Sequence, residues 1–124
     1  MAKVKKINLF TECSITFVRA IDDTMNVISG KWKLPIIGSL LYGPRRFKEL
    51  ERDIPKITPR MLSKELKDLE ANGIVTRTVY DTLPVTVEYE LTPSGLSLHE
   101  VLNVMVDWGQ KHRAAVVGKK TVRA

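Results

Sequence analysis

A single cysteine, Cys13, is all that this chain of 124 residues carries. No intrachain disulfide framework can hold it, and a reducing cytoplasm is the expected compartment. Aromatic residues make up only 6% and none interleave with the cations, which disfavours a surface that stacks single-stranded bases. No apolar run approaches the roughly 18 residues of a membrane-spanning helix. The opening MAKVKKINLF has neither the apolar block nor the cleavage site of a signal peptide. Gly-x-Gly-x-x-Gly is missing, and although Gly38 and Gly43 have phosphate-loop spacing, Pro44 stands where the lysine belongs. The two histidines, His99 and His112, lie on one helical stretch without a second ligand set, so no zinc site is expected. Asp22 and Asp23 are adjacent on a helix and point about 100° apart, poor geometry for shared acid–base work. The expectation is a single small domain with no cofactor, no metal and no enzymatic centre.

What the chain does have is charge with a direction. Lys and Arg number 20 against 14 Asp and Glu, a net +6. Residues 1–30 carry a net +1, residues 31–77 a net +5, and residues 78–110 five acids with no Lys or Arg; residues 111–124 return to +5. A cationic middle beside an anionic stretch reads either as chance asymmetry of a solvated surface or as a dipolar surface whose positive side meets a polyanion.

Periodicity supplies the elements. Phe17 or Val18, Ile21, Met25 and Ile28 form one helical stripe stopped by Gly30. A second helix spans about Trp32 to Tyr42, with Pro35 tolerable only in its first turn. A third runs from about Arg46 to Asp53, followed by the tight turn Ile54-Pro55-Lys56-Ile57. Thr58 as N-cap, Pro59 at the first helical position and the stop Asn72-Gly73 then delimit a fourth helix. At about 100° per residue, Leu62, Leu66 and Leu69 share one face; Arg60, Lys64 and Lys67 fall opposite, with Ser63 near that edge. After Gly73 the period becomes two, through Val75–Tyr80 and Val85–Leu91 around Asp81-Thr82-Leu83-Pro84, a β-hairpin. Thr92-Pro93 opens a final helix to around Arg113, where Leu98, Val101, Leu102, Met105, Trp108 and His112 recur at heptad-like spacing. Leu96 and Val104 widen that stripe beyond the needs of one small core, which points to a partner helix.

This order is that of an α+β, mainly helical fold: a winged helix-turn-helix with a two-stranded wing and long N- and C-terminal dimerisation helices. A helix fits the B-DNA major groove, and one whose outer face holds Arg, Ser and Lys presents donors to guanine edges and phosphates. Arg60 and Lys64 are the candidate base readers, with Thr58 and Ser63 as shorter polar contacts beside Pro59. Lys67 is a candidate phosphate contact, as are Arg45 and Arg46 at the entry to the third helix and Arg77 at the base of the wing. The alternative is a winged-helix interaction module whose cationic helix docks an acidic protein.

Several linked blocks carry a resemblance. They are Gly30-Lys31-Trp32-Lys33, Leu41-Tyr42-Gly43-Pro44-Arg45-Arg46-Phe47-Lys48-Glu49-Leu50, Ile54 to Ser63, Val87-Glu88-Tyr89-Glu90-Leu91-Thr92 and Asp107-Trp108-Gly109. Together they resemble the HxlR-type transcriptional regulators. The resemblance implies a cytoplasmic homodimer joined through its terminal helices, bound to a pseudo-palindromic operator of double-stranded DNA, often answering a small molecule or electrophile. Two departures stand out. The family's redox cysteine lies nearer the Gly-Lys-Trp block and is commonly followed by proline, whereas Cys13 is followed by Ser14 and Arg19 occupies roughly the usual place. Between Tyr80 and Tyr89 the wing has no Lys or Arg. Cys13 reads as a thiolate redox sensor, aided by Lys5 and Lys6 and hindered by adjacent Glu12, as a small, partly buried apolar residue, or as an inert thiol on a frayed arm. The expected organisation is a basic arm over 1–12, the winged domain over 13–113 and a basic tail over 114–124.

Overall fold

The computed structural model describes residues 14–123, with side chains for residues 15–117. The elements are α1 (Ser14–Ile28), α2 (Lys33–Leu40), β1 (Arg45–Arg46), α3 (Phe47–Asp53), α4 (Pro59–Ala71), β2 (Val75–Tyr80), β3 (Thr86–Leu91) and α5 (Pro93–Arg123).

Helices α2, α3 and α4 pack around one core. Ile36, Ile37 and Leu40 from α2, Leu50 from α3, and Leu62, Leu66 and Leu69 from α4 are its fully buried side chains. Ile54 and Ile57 close it from the tight turn, and Ile74, Val75 and Leu91 from the sheet. Pro35 is the third residue of α2, inside the first turn, where its missing N–H costs no helical hydrogen bond.

The two-stranded wing is present, and the sheet has one strand more than the wing. β2 and β3 form the antiparallel hairpin, with Val75 opposite Leu91 and Tyr80 opposite Thr86. β1 adds a third strand on the far side of β3, with Arg45 opposite Tyr89 and Arg46 opposite Glu88. A strand of two arginines has no alternation to read; its pairing exists only because the turn after α2 brings it alongside β3. The third helix accordingly starts at Phe47 rather than Arg46.

The terminal helices behave unlike the core. On α1 only Ile28 of the predicted stripe is buried, while Val18, Ile21 and Met25 are about half exposed and Ile15 more so. On α5, Leu98 and Leu102 pack against the core, but Val104, Val106 and Trp108 are exposed. α5 also continues to Arg123, past the Arg113 at which apolar spacing stops. Extending an existing helix through Ala114-Ala115-Val116-Val117 needs no new nucleus. The N-terminal arm and Cys13 lie outside the described residues.

Two short-range devices join the wing to the helices. Gly73, at φ +74°, takes the left-handed conformation that ends α4. Thr92 then ties the start of α5 to the start of β2. Its hydroxyl donates to the Gly73 carbonyl (2.6 Å) and accepts from the Gly95 N–H (3.1 Å), while its own N–H donates to the Ile74 carbonyl (2.9 Å). A Cβ on Gly95 would lie 2.5 Å from the Ile74 carbonyl oxygen and 3.0 Å from Leu91 Cδ2, so the close approach of α5 to the sheet requires glycine there. Gly95→Ala is expected to destabilise the fold by about 1–3 kcal/mol through overpacking against rigid backbone. Gly38→Ala, in α2 with nothing within 4 Å of the added methyl, should be neutral or stabilising by up to about 1 kcal/mol. Urea unfolding of the two variants checks both signs.

Candidate nucleic-acid interface

Helix α4 is set by local chemistry at its first turn. Thr58 has extended backbone (φ −88°, ψ 155°), and its Oγ1 accepts the Met61 N–H at 3.1 Å, with Pro59 at the first helical position. The hydroxyl acceptor is thus used by the cap, leaving the O–H free to donate outward. From that start the Leu62, Leu66 and Leu69 stripe is buried to 1% exposure or less, which turns Arg60, Lys64 and Lys67 out to solvent and leaves Ser63 half-buried at the edge. None of the three cations has a carboxylate within ion-pair distance among the described residues.

Two of the three acids of α4 are drawn elsewhere, and the third, Glu70, is exposed. Lys33 Nζ, at the start of α2, sits 2.9 Å from Glu65 Oε2 and 3.6 Å from Asp68 Oδ2. Lys33 and Glu65 side chains are only 12% and 14% exposed. The Glu65 hydrogen bond, acting against partial desolvation and with the field of both carboxylates, raises the Lys33 pKa above the ordinary 10.5.

The other predicted contacts divide. Arg45 is turned inward along α3: Nη1 lies 3.9 Å from Glu49 and Nε 3.6 Å from Asp53, whose carboxylate also accepts the Ser39 hydroxyl at 2.8 Å. Glu49 Oε1 in turn accepts the Arg46 N–H at 2.8 Å, so the amide end of α3 is already capped by the protein's own carboxylate. The Arg46 side chain is exposed, as is Arg77 on β2 opposite Tyr89. At the wing tip Leu83 is fully exposed and Val85 60% exposed.

Between α3 and β3 runs a cleft of about 510 Å³ lined by Arg46, Lys48, Arg52, Pro84 and Thr86 among others. Lys48 and Arg52 did not figure among the sequence candidates. Their spacing of four on a short helix was the signal that could have found them. Lys56, in the turn between α3 and α4, is the one non-glycine residue at positive φ (71°) among the described residues. His112 stacks on Trp108 with ring centroids 4.7 Å apart, and His99 lines a furrow between α2 and α5. Among the described residues no group of three or more His, Cys, Asp or Glu is placed to hold a metal ion, and no helix is long and apolar enough to cross a membrane.

A cap that only satisfies α4's amide predicts a plain outcome. Thr58→Ala should cost about 1 kcal/mol of stability in thermal unfolding, whereas Thr58→Ser should retain most of it.

Comparison with known proteins places this arrangement. The family model for the HxlR-like helix-turn-helix matches residues 27–116. The HTH-type transcriptional regulator YtcD of Bacillus subtilis (strain 168) is 42% identical over 99 residues, 80% of this chain and 79% of YtcD. The reduced form of the redox regulator HypR superposes with a TM-score of 0.73 at 41% identity, covering 78% of this chain and 96% of that one. The quinone-bound form of YodB from Bacillus subtilis superposes at 0.66 with 34% identity, covering 75% and 98%.

Proposed function

This chain belongs to the HxlR-like helix-turn-helix family of DNA-binding transcriptional regulators, and from that premise we propose that it binds a pseudo-palindromic operator as a homodimer, with α4 in the major groove. The observation that carries this reading is the separation of charge on α4: Arg60, Lys64 and Lys67 exposed and unpaired among the described residues, the flanking Glu65 and Asp68 held by Lys33. Arg60 and Lys64 read base edges, with Thr58 and Ser63 donating alongside, where Pro59 sets the approach of the helix. Lys67, Arg46 and Arg77 meet backbone phosphates. Arg45 contributes mainly by orienting the α3 segment, since Glu49 and Asp53 already engage it. In operation the cationic surface draws the cytoplasmic regulator to any duplex by releasing counterions, and the guanidinium and ammonium donors then select among sequences.

The dimer reading is supported by apolar surface that the single chain leaves uncovered. Val18, Ile21 and Met25 on α1 and Val104, Met105 and Trp108 on α5 are exposed. A furrow of about 850 Å³ between α2 and α5 is lined largely by apolar groups such as Leu34, Leu41, Leu96 and Leu102. A second copy covers these surfaces and sets two α4 helices about 34 Å apart, one DNA turn, in successive major grooves. An effector response in this chain falls to Cys13, its sole thiol, as the candidate sensor of an oxidant or electrophile.

Binding is expected to fall steeply with salt and to favour a duplex selected from a random pool over a scrambled one. Lys67→Ala should weaken all duplexes alike and reduce the salt slope by about one. Arg60→Ala should lose about 1–3 kcal/mol of discrimination, measured by fluorescence anisotropy on matched and mismatched duplexes. An acidic protein partner would instead show no operator preference. Sedimentation at micromolar concentration should give twice the 14.0 kDa chain mass, and Val104→Asp with Met105→Asp should return the monomer. A 14.0 kDa species alone in the wild type refutes the dimer.

A further inference from the structure

Lys33 is not one of the cations that face solvent beside Arg60, yet it makes the closest ion pair among the described residues, 2.9 Å to Glu65. Nothing local explains its place. It is the first residue of an eight-residue helix, where a cation meets the positive end of the helix dipole. Its side chain is largely buried, as is that of Glu65. A partly desolvated pair of this kind contributes little net stability compared with an apolar pair of the same volume. What it does impose is geometry, because only one rotation of α4 brings both Glu65 and Asp68 within reach of a single ammonium group.

The wheel shows what that rotation controls. At about 100° per residue, Lys64 and Lys67 lie within about 40° of Arg60, Asp68 lies only about 40° beyond Lys64, and Glu65 about 60° further round. Without Lys33, Asp68 would border the cationic face on the side of Lys64 as an unpaired carboxylate, with the charge of Glu65 behind it beside the leucines. Facing phosphates, that carboxylate would repel what the lysines attract.

We propose that Lys33 is a positioning residue for DNA recognition: by gripping Glu65 and Asp68 from α2, it fine-tunes the rotation of α4 within the face that the leucine stripe selects and neutralises two carboxylates of the helix that carries the reading face. It acts through α4 and touches no base or phosphate itself. The inference rests on the reading that α4 meets DNA, and the experiment separates the two.

Affinities for a duplex selected from a random pool and for its scrambled counterpart are measured by fluorescence anisotropy. The proteins compared are the wild type, Lys33→Met, Lys33→Arg and Lys31→Met, the last removing the same charge from an exposed neighbour. Lys33→Met is expected to lose on the order of tenfold affinity for the selected duplex, with a smaller loss on the scrambled one, so that selectivity falls. Lys33→Arg should recover most of both. Adding Asp68→Asn to Lys33→Met should return affinity for both duplexes but not selectivity, since it removes a repelling charge without restoring the grip. If Lys33→Met fails to fold by circular dichroism, Glu65→Ala with Asp68→Ala releases the same grip while making the protein more positive. That variant should bind the scrambled duplex more tightly and yet discriminate less. An unchanged selectivity ratio in it, or a folded Lys33→Met indistinguishable from Lys31→Met, overturns the proposal. Should Lys67→Ala leave both affinities untouched, the reading of α4 itself fails; should it weaken both while the Lys33 variants do nothing, only the role of Lys33 is lost.

Discussion

Burial of Leu62, Leu66 and Leu69 against Ile36, Ile37, Leu40 and Leu50 is the constraint on which the rest of this molecule depends. Each leucine taken fully out of water contributes roughly 1.5–3 kcal/mol. The stripe is continuous over two turns, so α4 has one strongly preferred face toward the core. Everything functional about α4 is the complement of that preference. Arg60, Lys64 and Lys67 are presented because the opposite side of the same helix is occupied. The cap at Thr58 and the left-handed Gly73 bound the helix at the length that keeps both faces in phase.

The electrostatics follow the packing. Basic and acidic residues are interspersed along α3 and α4, and the fold engages four of the six acids, all but Glu51 and Glu70. Asp53 and Glu49 are consumed by Arg45 and by the Arg46 amide, and Glu65 and Asp68 by Lys33. Arg60, Lys64, Lys67, Arg46, Lys48 and Arg52 are left facing solvent. The wing is built on the opposite plan. Its solvent side carries Glu88 and Glu90, its tip carries Leu83 and Val85, and Arg77 at its base is its one cation, so long-range attraction to a polyanion arises mainly from the helices.

The terminal helices express a different economy of apolar surface. The α2–α4 core closes without α1 beyond Val27 and Ile28, and takes from α5 only Leu98 and Leu102. Gly95 and Thr92 nonetheless hold the root of α5 rigidly to the sheet. A long helix fixed at its base, with Val104, Met105 and Trp108 exposed along its length, can set the distance between two recognition helices as well as bury area. That combination supports the dimer proposed above.

Where structure is decided by neighbours in the chain, the amino-acid order alone was sufficient. α4 was legible to within a residue because Thr58-Pro59 and Asn72-Gly73 act on their own backbone, and the hairpin because period-two alternation is a local pattern. The surplus on α5 was visible for the same reason. Contacts between distant segments were not legible. β1 is a strand only because β3 lies beside it; Arg45, read as a free cation, is held by Asp53 across α3; Lys33, read as part of a motif, grips an element 32 residues away. A residue type announces which interactions it can make, but which partner is within 3–4 Å is settled only when the core brings α2, α3 and α4 together. The sequence therefore determined the helix that faces outward with positive charge, and the tertiary structure decided which of its charges remain available.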